Sequence, residues 1–215
     1  MNSKENLIET MSDLIWERGY AATSPREVRE RSGVGQGSMY YHFPSKRDLG
    51  IAAIRHNCET RLPASLETLN GPGDPLDRIA RYLSRDCEPL RGCKVGRLTQ
   101  DPEVVADPGM LAPISTFFEA IHHSLEAVIE EAIRMGELPA DVDAGRMAHL
   151  MTATIQGGYV LAIAAQDPGP FNEARRGALD LLDAVSRATT HKTSDGTGRS
   201  DTQLDGIRRP DDQKE

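Results

Sequence analysis

The sequence predicts an all-α fold, and three observations carry that prediction. Apolar residues recur every three or four positions, as in Leu111, Ile114, Phe118, Ile121, Leu125, Val128 and Ala132, the spacing that lines one face of a helix. Starts and stops are written in capping chemistry: Ser24-Pro25-Arg26-Glu27 and Ser45-Lys46-Arg47-Asp48 read as openings, Gly19 and Gly33 as ends. No stretch shows the period-two alternation of a half-buried strand.

The first helix is predicted from Ser3 to Arg18, where Leu7, Ile8, Met11, Leu14 and Ile15 share a face and Gly19 ends it. In the second, Ser24 is the N-cap, Pro25 suits the first helical position, and Glu27 closes a capping box. That helix stops at Gly33, and a very short one runs from Gln36 to His42 before Phe43-Pro44. A long helix follows Ser45, carrying Leu49, Ala52, Ala53 and Cys58 toward Leu62, and Pro63 is expected to kink or end it. Asn70-Gly71-Pro72-Gly73-Asp74-Pro75 is a break, followed by helices at about 76–90, 102–106, 110–135, 141–166 and 171–189. Residues 190–215 hold only Leu204 and Ile207 as large aliphatics among eleven charged residues, which reads as a disordered tail.

Composition narrows the function classes. With 27% charged and 38% hydrophobic residues the chain is globular. Its three cysteines form no disulfide framework and no zinc-knuckle spacing, which points to a reducing, cytoplasmic setting. No secretory h-region opens the chain, and the longest apolar run, Tyr159 to Ala165, is far short of the roughly twenty residues of a membrane span. The net charge is −8, yet residues 1–50 hold seven basic and seven acidic side chains, so the remainder carries the whole excess. The N-terminal quarter is the part that does not repel a polyanion.

Three short helices with a glycine turn between the second and third make a helix-turn-helix. Gly33 supplies the positive φ of the turn, and Val28 and Val34 plug the corner. Gly37 leaves room for a phosphate backbone to approach, and the helix N-terminus at Gln36 offers N–H groups to it. Gln36, Ser38, Tyr40, Tyr41 and His42 bring hydrogen-bonding groups to this helix, and Lys46 and Arg47 stand where a flanking phosphate would lie. Tyr41 reads equally as a base-edge contact or as solvated, Phe43 as core, and Arg26 and Arg31 as surface charges. Ser38 and His42, one turn apart, lack a third orienting group and make no catalytic pair.

Gly19-Tyr20, Ala22-Thr23-Ser24 and the run from Gly33 through Tyr40-Tyr41-His42-Phe43-Pro44-Ser45-Lys46 to Leu49 closely resemble the DNA-binding segment of TetR-family transcriptional regulators, over roughly residues 4–50. The resemblance implies a homodimeric, ligand-responsive repressor on a pseudo-palindromic operator, not an enzyme, with no cofactor and no metal. Its domains would be 1–48 for DNA binding, 49–189 for effector binding and dimerisation, and 190–215 as the tail. By matching position, Gln36, Ser38, Tyr41 and His42 would face the groove near Gly37, while Thr23, Tyr40 and Lys46 would hold phosphates. Two residues depart from the family pattern: Gly35 replaces a Ser or Thr cap, and Arg29 replaces a small Ala, so its guanidinium must either snorkel out or push the second helix away.

In the second domain the resemblance implies a pocket, for which Tyr82, Cys93, Phe117, Phe118, His122, Met151 and Tyr159 are the candidates. Cys93, flanked by Lys94 and Arg97, is either a pocket-lining thiol or a reactive one, with Cys58 and Cys87 as rival accessible thiols. The segment Gly92-Cys93 to Leu98 is similar to a stretch in a subgroup of these regulators, some of which respond to electrophiles. Glu119 and His122 form half of a helical di-metal motif, so the alternative reading is a metal-binding enzyme. A nucleoid-type binder without an effector is the other rival. Gly157-Gly158 inside an apolar helix points to close approach of a helix or a ligand. Helices 141–166 and 171–189, with Met147, Leu150, Leu181 and Val185, are the expected dimer face. The helix opening at Ser45 is expected to carry the effector's signal to the DNA.

Overall fold

The computed structural model describes residues 2–195. Among these the chain is helical throughout: α1 (Ser3–Arg18), α2 (Pro25–Ser32), α3 (Gln36–His42), α4 (Lys46–Asn70), α5 (Pro75–Ser84), α6 (Pro102–Val105), α7 (Pro108–Met135), α8 (Ala144–Ala165) and α9 (Gly169–Asp195), with a 3-10 turn at Gly96–Gln100.

The first three helices begin and end where their capping residues stand. Asn2 and Ser24 each close a capping box, with Glu5 and Glu27 respectively, which satisfies N–H groups the first turn leaves open. Gly33 takes φ +69°, the left-handed conformation the turn into α3 requires. Val28 is buried at the corner and Val34 packs against it. α1 anchors this domain to the next: its Leu7, Met11, Leu14 and Ile15 are fully buried, and Ser12 donates a hydrogen bond to the buried Asn57 of α4.

Several boundaries differ from the sequence expectation, among them α7 and α9, which each begin two residues early. α4 continues through Pro63 to Asn70. Proline removes one N–H and frees the carbonyl of Glu59, but Pro63 and Glu59 are both exposed, which leaves that stretch open to solvent while Ser65 and Leu69 stay buried. α5 ends at Ser84 rather than near residue 90. Arg85 is extended, and its carbonyl accepts a hydrogen bond from Arg175 of α9 at 2.8 Å, which turns the chain into a loop. α8 begins at Ala144, capped by Asp143. The helix of α9 runs past the expected start of the tail at Thr190 as far as Asp195, and residues 196–215 lie outside the described residues.

The larger domain packs α4, α5, α7 and α8 around one core, with α9 against α8. Buried Arg78 ties the end of α4 to α7 by pairing with Glu131 and donating to the carbonyls of Leu69 and Gly71. Among the described residues α8 is the one helix long and apolar enough to cross a bilayer, longer than the seven-residue run suggested. Here it is a packing helix, burying Ala148, Met151, Ile155, Gly158, Tyr159 and Ala162.

Candidate functional site

α3 divides its side chains cleanly. Met39 and Phe43, four apart, are buried and anchor the helix on α1. Gln36, Gly37, Tyr40 and Tyr41 are exposed and Ser38 and His42 half so. Tyr41 is 84% exposed, with its ring edge against His42 at 5.1 Å. A Cβ on Gly37 would meet nothing within 4 Å, so a polyanion backbone can come close there. Arg29 snorkels rather than displacing α2: Val28 beside it is 1% exposed, and its guanidinium donates to the Gln36 side chain at 3.4 Å. The residue that departs from the family pattern therefore orients the first groove-facing candidate, a contact seven positions apart that no helical spacing within one element reveals.

Two expected phosphate holders are placed differently. Thr23 is 2% exposed, and its hydroxyl donates to the carbonyl of Gly19 at 2.8 Å. Its proton serves the turn between α1 and α2. Lys46 is half-buried, its ammonium 4.1 Å above the Tyr20 ring and 3.8 Å from Glu103. Burial, together with the nearby Glu103 and Asp107 charges, pushes the Tyr20 phenol up to about 12, so that ring stays neutral.

A cavity of about 920 Å³ opens between α7, α8 and residues 90–100. Of the expected pocket residues, Cys93, Phe118, His122 and Tyr159 line it, and Glu119 joins them. Tyr82, Phe117 and Met151 do not, and all three are buried elsewhere. Phe117 is about 100° around α7 from Phe118 and faces a second cleft with Trp16, while Met151 turns to the groove between α8 and α9. The residues missed include the polar Gln100, Ser115, His149, Thr152 and Gln156 and the apolar Leu90, Val160 and Ile163. His149, Thr152 and Gln156 sit at helical spacing inside an otherwise apolar helix, a signal that was legible as a polar stripe.

The cavity has two ends. Gly92 lies against Ile163, and Arg97 reaches the same end, joined there by Leu90 and Val160 as apolar wall. At the other end the rings of His122 and His149 stand 4.0 Å apart, His149 Nδ1 is held by the Gly145 carbonyl at 2.9 Å, and His122 Nδ1 is buried without a partner. Gly157 opens onto the cavity with nothing within 4 Å of an added Cβ, whereas a Cβ added at Gly158 would stand 2.9 Å from the Phe171 ring of α9. The glycine pair thus serves both a cavity and a helix contact. Glu119 and His122 are joined by no third His, Cys, Asp or Glu in metal-holding geometry among the described residues. Cys93 accepts a hydrogen bond from the Gly96 N–H at 3.2 Å, and Cys58 is buried, its thiol pushed up to about 12 by that burial.

The wall of this cavity runs directly into the N-terminal helix-turn-helix domain. Gly96, Arg97, Thr99 and Gln100 line it, and the next residue, Asp101, is 9% exposed and accepts the Ala21 N–H at 2.9 Å while capping α6. Gly19, at φ +89°, lets the Asp101 carboxylate approach to 3.0 Å of where a Cβ would stand. Asp107, the α7 cap, takes a two-pronged contact from Arg47 at 2.5 and 2.8 Å, and these hydrogen bonds hold its carboxyl below the usual range. Residues 96–107 therefore link the domains through space, beside the continuous α4 and the α1 contact of Ser12 with Asn57.

Comparison with known proteins agrees with this geometry. Residues 3–53 match the model of bacterial regulatory proteins of the tetR family, and residues 76–178 match the tetracyclin repressor-like C-terminal domain, together more than half of the chain. The chain is 26% identical over 191 residues to the HTH-type transcriptional regulator LmrA of Bacillus subtilis, covering 84% of this chain and 97% of that protein. It is 25% identical over 195 residues to the HTH-type transcriptional repressor AcnR of Corynebacterium efficiens, covering 87% and 94% respectively. A crystal structure of regulatory protein TetR from Rhodobacter sphaeroides superposes with a TM-score of 0.71 at 26% identity, covering 84% of this chain and 98% of that one.

Proposed function

Because this chain belongs to the TetR family of helix-turn-helix transcriptional regulators, we propose that it acts in the cytoplasm as a homodimeric repressor, reading a pseudo-palindromic operator with α3 and releasing it when a small molecule fills the cavity between α7 and α8. The observation that carries the reading is the exposed face of α3: Gln36, Gly37, Tyr40 and Tyr41 point outward with Met39 and Phe43 anchoring them from behind. Two such helices, one per subunit, suit successive major grooves about 34–36 Å apart.

The dimer is proposed on the face of α8 and α9. Leu150, Leu161 and Leu181 are each half or more exposed there, and a shallow groove of about 240 Å³ runs between the two helices. An apolar surface of this kind is stabilised by burial against a second copy.

Effector coupling is proposed to run through residues 96–107. A ligand shifts DNA affinity only by its differential affinity for two arrangements, and here one short segment is both cavity wall and dock for Ala21, Lys46 and Arg47. Movement of the wall changes the hold on the DNA-facing domain. Coupling is reciprocal, so operator DNA must weaken the effector by the same factor, typically about 1–3 kcal/mol.

The test is a binding titration against DNA flanking the coding gene. Gln36→Ala should relax preference at one base pair per half-site by about 1–3 kcal/mol, whereas Lys46→Ala should weaken specific and non-specific DNA together. If neither substitution changes binding, α3 is not the reading element.

A further inference from the structure

The arginines around the helix-turn-helix are neutralised within the protein, with one exception. Arg18 of α1 pairs with Glu27, and on α2 Arg26 pairs with Glu30 and Arg31 with Glu17. Arg47, in the first turn of α4, holds Asp107. Arg29, also on α2, has no carboxylate partner among the described residues, and its guanidinium Nη1 donates instead to Gln36 Oε1 at 3.4 Å. We infer that Arg29 is a specificity-determining residue, which with Gln36 forms a donor-only pair that selects G·C over A·T at the base pair Gln36 meets. The inference rests on α3 being the reading helix.

Local structure holds the pair in place. The Arg29 carbonyl accepts the Gly33 N–H at 2.9 Å, which fixes its backbone in the last turn of α2. Buried Val28 beside it anchors that turn, so the half-buried Arg29 side chain reaches across the turn to Gln36, the exposed first residue of α3. Nothing crowds the two: a Cβ added at Gly33, Gly35 or Gly37 would meet nothing within 4 Å. A base edge therefore has room beside Gln36 and the guanidinium together.

Hydrogen-bond chemistry selects the base. A glutamine amide free at both ends matches adenine, donating to N7 and accepting from N6. Here the accepting end faces the Arg29 guanidinium. What the pair offers is the Gln36 Nε2 protons and the remaining N–H groups of Arg29, all donors. Guanine presents two adjacent acceptors, O6 and N7, in the major groove. Adenine would set its N6 protons against the guanidinium and leave donors unpaired on both sides, which is the costly arrangement.

The test selects duplexes from a random pool with the full-length protein and with Gln36→Ala and Arg29→Ala, the variants checked for folding by circular dichroism. Gln36→Ala should relax preference at one base pair per half-site, which identifies the pair, and the wild-type protein should hold G·C there. Arg29→Ala frees the Gln36 oxygen and should shift that same pair to A·T. On two duplexes differing only at this pair, the affinity ratio should be about fivefold or more for each protein, in opposite directions. A wild-type preference for A·T at the Gln36 pair overturns the inference without the Arg29 variant, as does a folded Arg29→Ala protein that still prefers G·C. Uniform weakening on all duplexes with preference unchanged makes Arg29 a phosphate contact and overturns it too. A wild-type protein that enriches no sequence overturns the reading by α3 itself, so the two failures are told apart.

Discussion

Residues 24–43 take their shape from neighbours in the chain, whereas the walls of the large cavity are set by residues distant in sequence. In the first region Ser24 and Glu27 cap each other, Gly33 turns the chain, and Met39 and Phe43 seat one short helix. In the second, Gly92 meets Ile163 and Gly96 meets Gln156, contacts that exist only once α7, α8 and α9 have packed. The DNA-facing surface is thus a local structure carried on a small core, and the cavity is a by-product of helix packing. Damage to packing should therefore fall on the cavity domain's stability, and damage to exposed residues of α3 on recognition alone.

The largest expected effect follows from Phe171. It is 1% exposed and fills the space beside Gly158, with its ring 4.6 Å from Tyr159. Phe171→Ala should cost about 3–5 kcal/mol in a urea or thermal unfolding experiment. Tyr41→Ala is its counterpart: with Tyr41 84% exposed, stability should change by no more than about 0.5 kcal/mol while operator affinity falls. A large stability loss in the tyrosine variant would erase the distinction between the two regions.

A smaller effect probes how local the recognition domain is. Ser24→Ala removes the side chain that accepts the Glu27 N–H at 3.2 Å and should cost about 1 kcal/mol, measured by denaturation. If the loss approaches that of Phe171→Ala, α2 is held by something other than its cap.

The smallest effect is in pH. Arg47 hydrogen bonds lower the Asp107 pKa below its unfolded value. The pair therefore contributes fully above the ordinary carboxylate range, and its contribution is lost as pH falls through the lowered folded value. Arg47→Ala should shift the melting temperature at neutral pH and leave it unchanged at strongly acidic pH. Equal shifts at both would mean that Arg47 acts through packing and not through charge.

Legibility in the sequence follows the same division. α1, α2 and α3 were readable because Ser24, Gly19 and Gly33 mark ends by chemistry that acts over three or four residues. The exposed set on α3 was readable from the motif, whereas the hydrogen bond of Thr23, in the turn between α1 and α2, to the Gly19 carbonyl was not. The cavity was half legible. Phe118, His122, Tyr159 and Cys93 face it, yet Phe117, Met151 and Tyr82 have the same composition and face elsewhere. Apolar spacing states that a residue is inside without stating which side of the helix meets a void. The bridge from Asp101 to Ala21 and from Asp107 to Arg47 left no trace in spacing, because its partners are brought together only by the fold.

The account rests on α3 contacting DNA while residues 96–107 transmit between domains. Amide hydrogen exchange of the full-length protein, with and without a duplex selected for binding from random sequence, tests both at once. The prediction is slowed exchange across residues 34–47, a smaller change across 96–107, and none in the interior of α7. Unchanged exchange at 34–47 on a saturating duplex, or protection confined to α8 and α9, would contradict it.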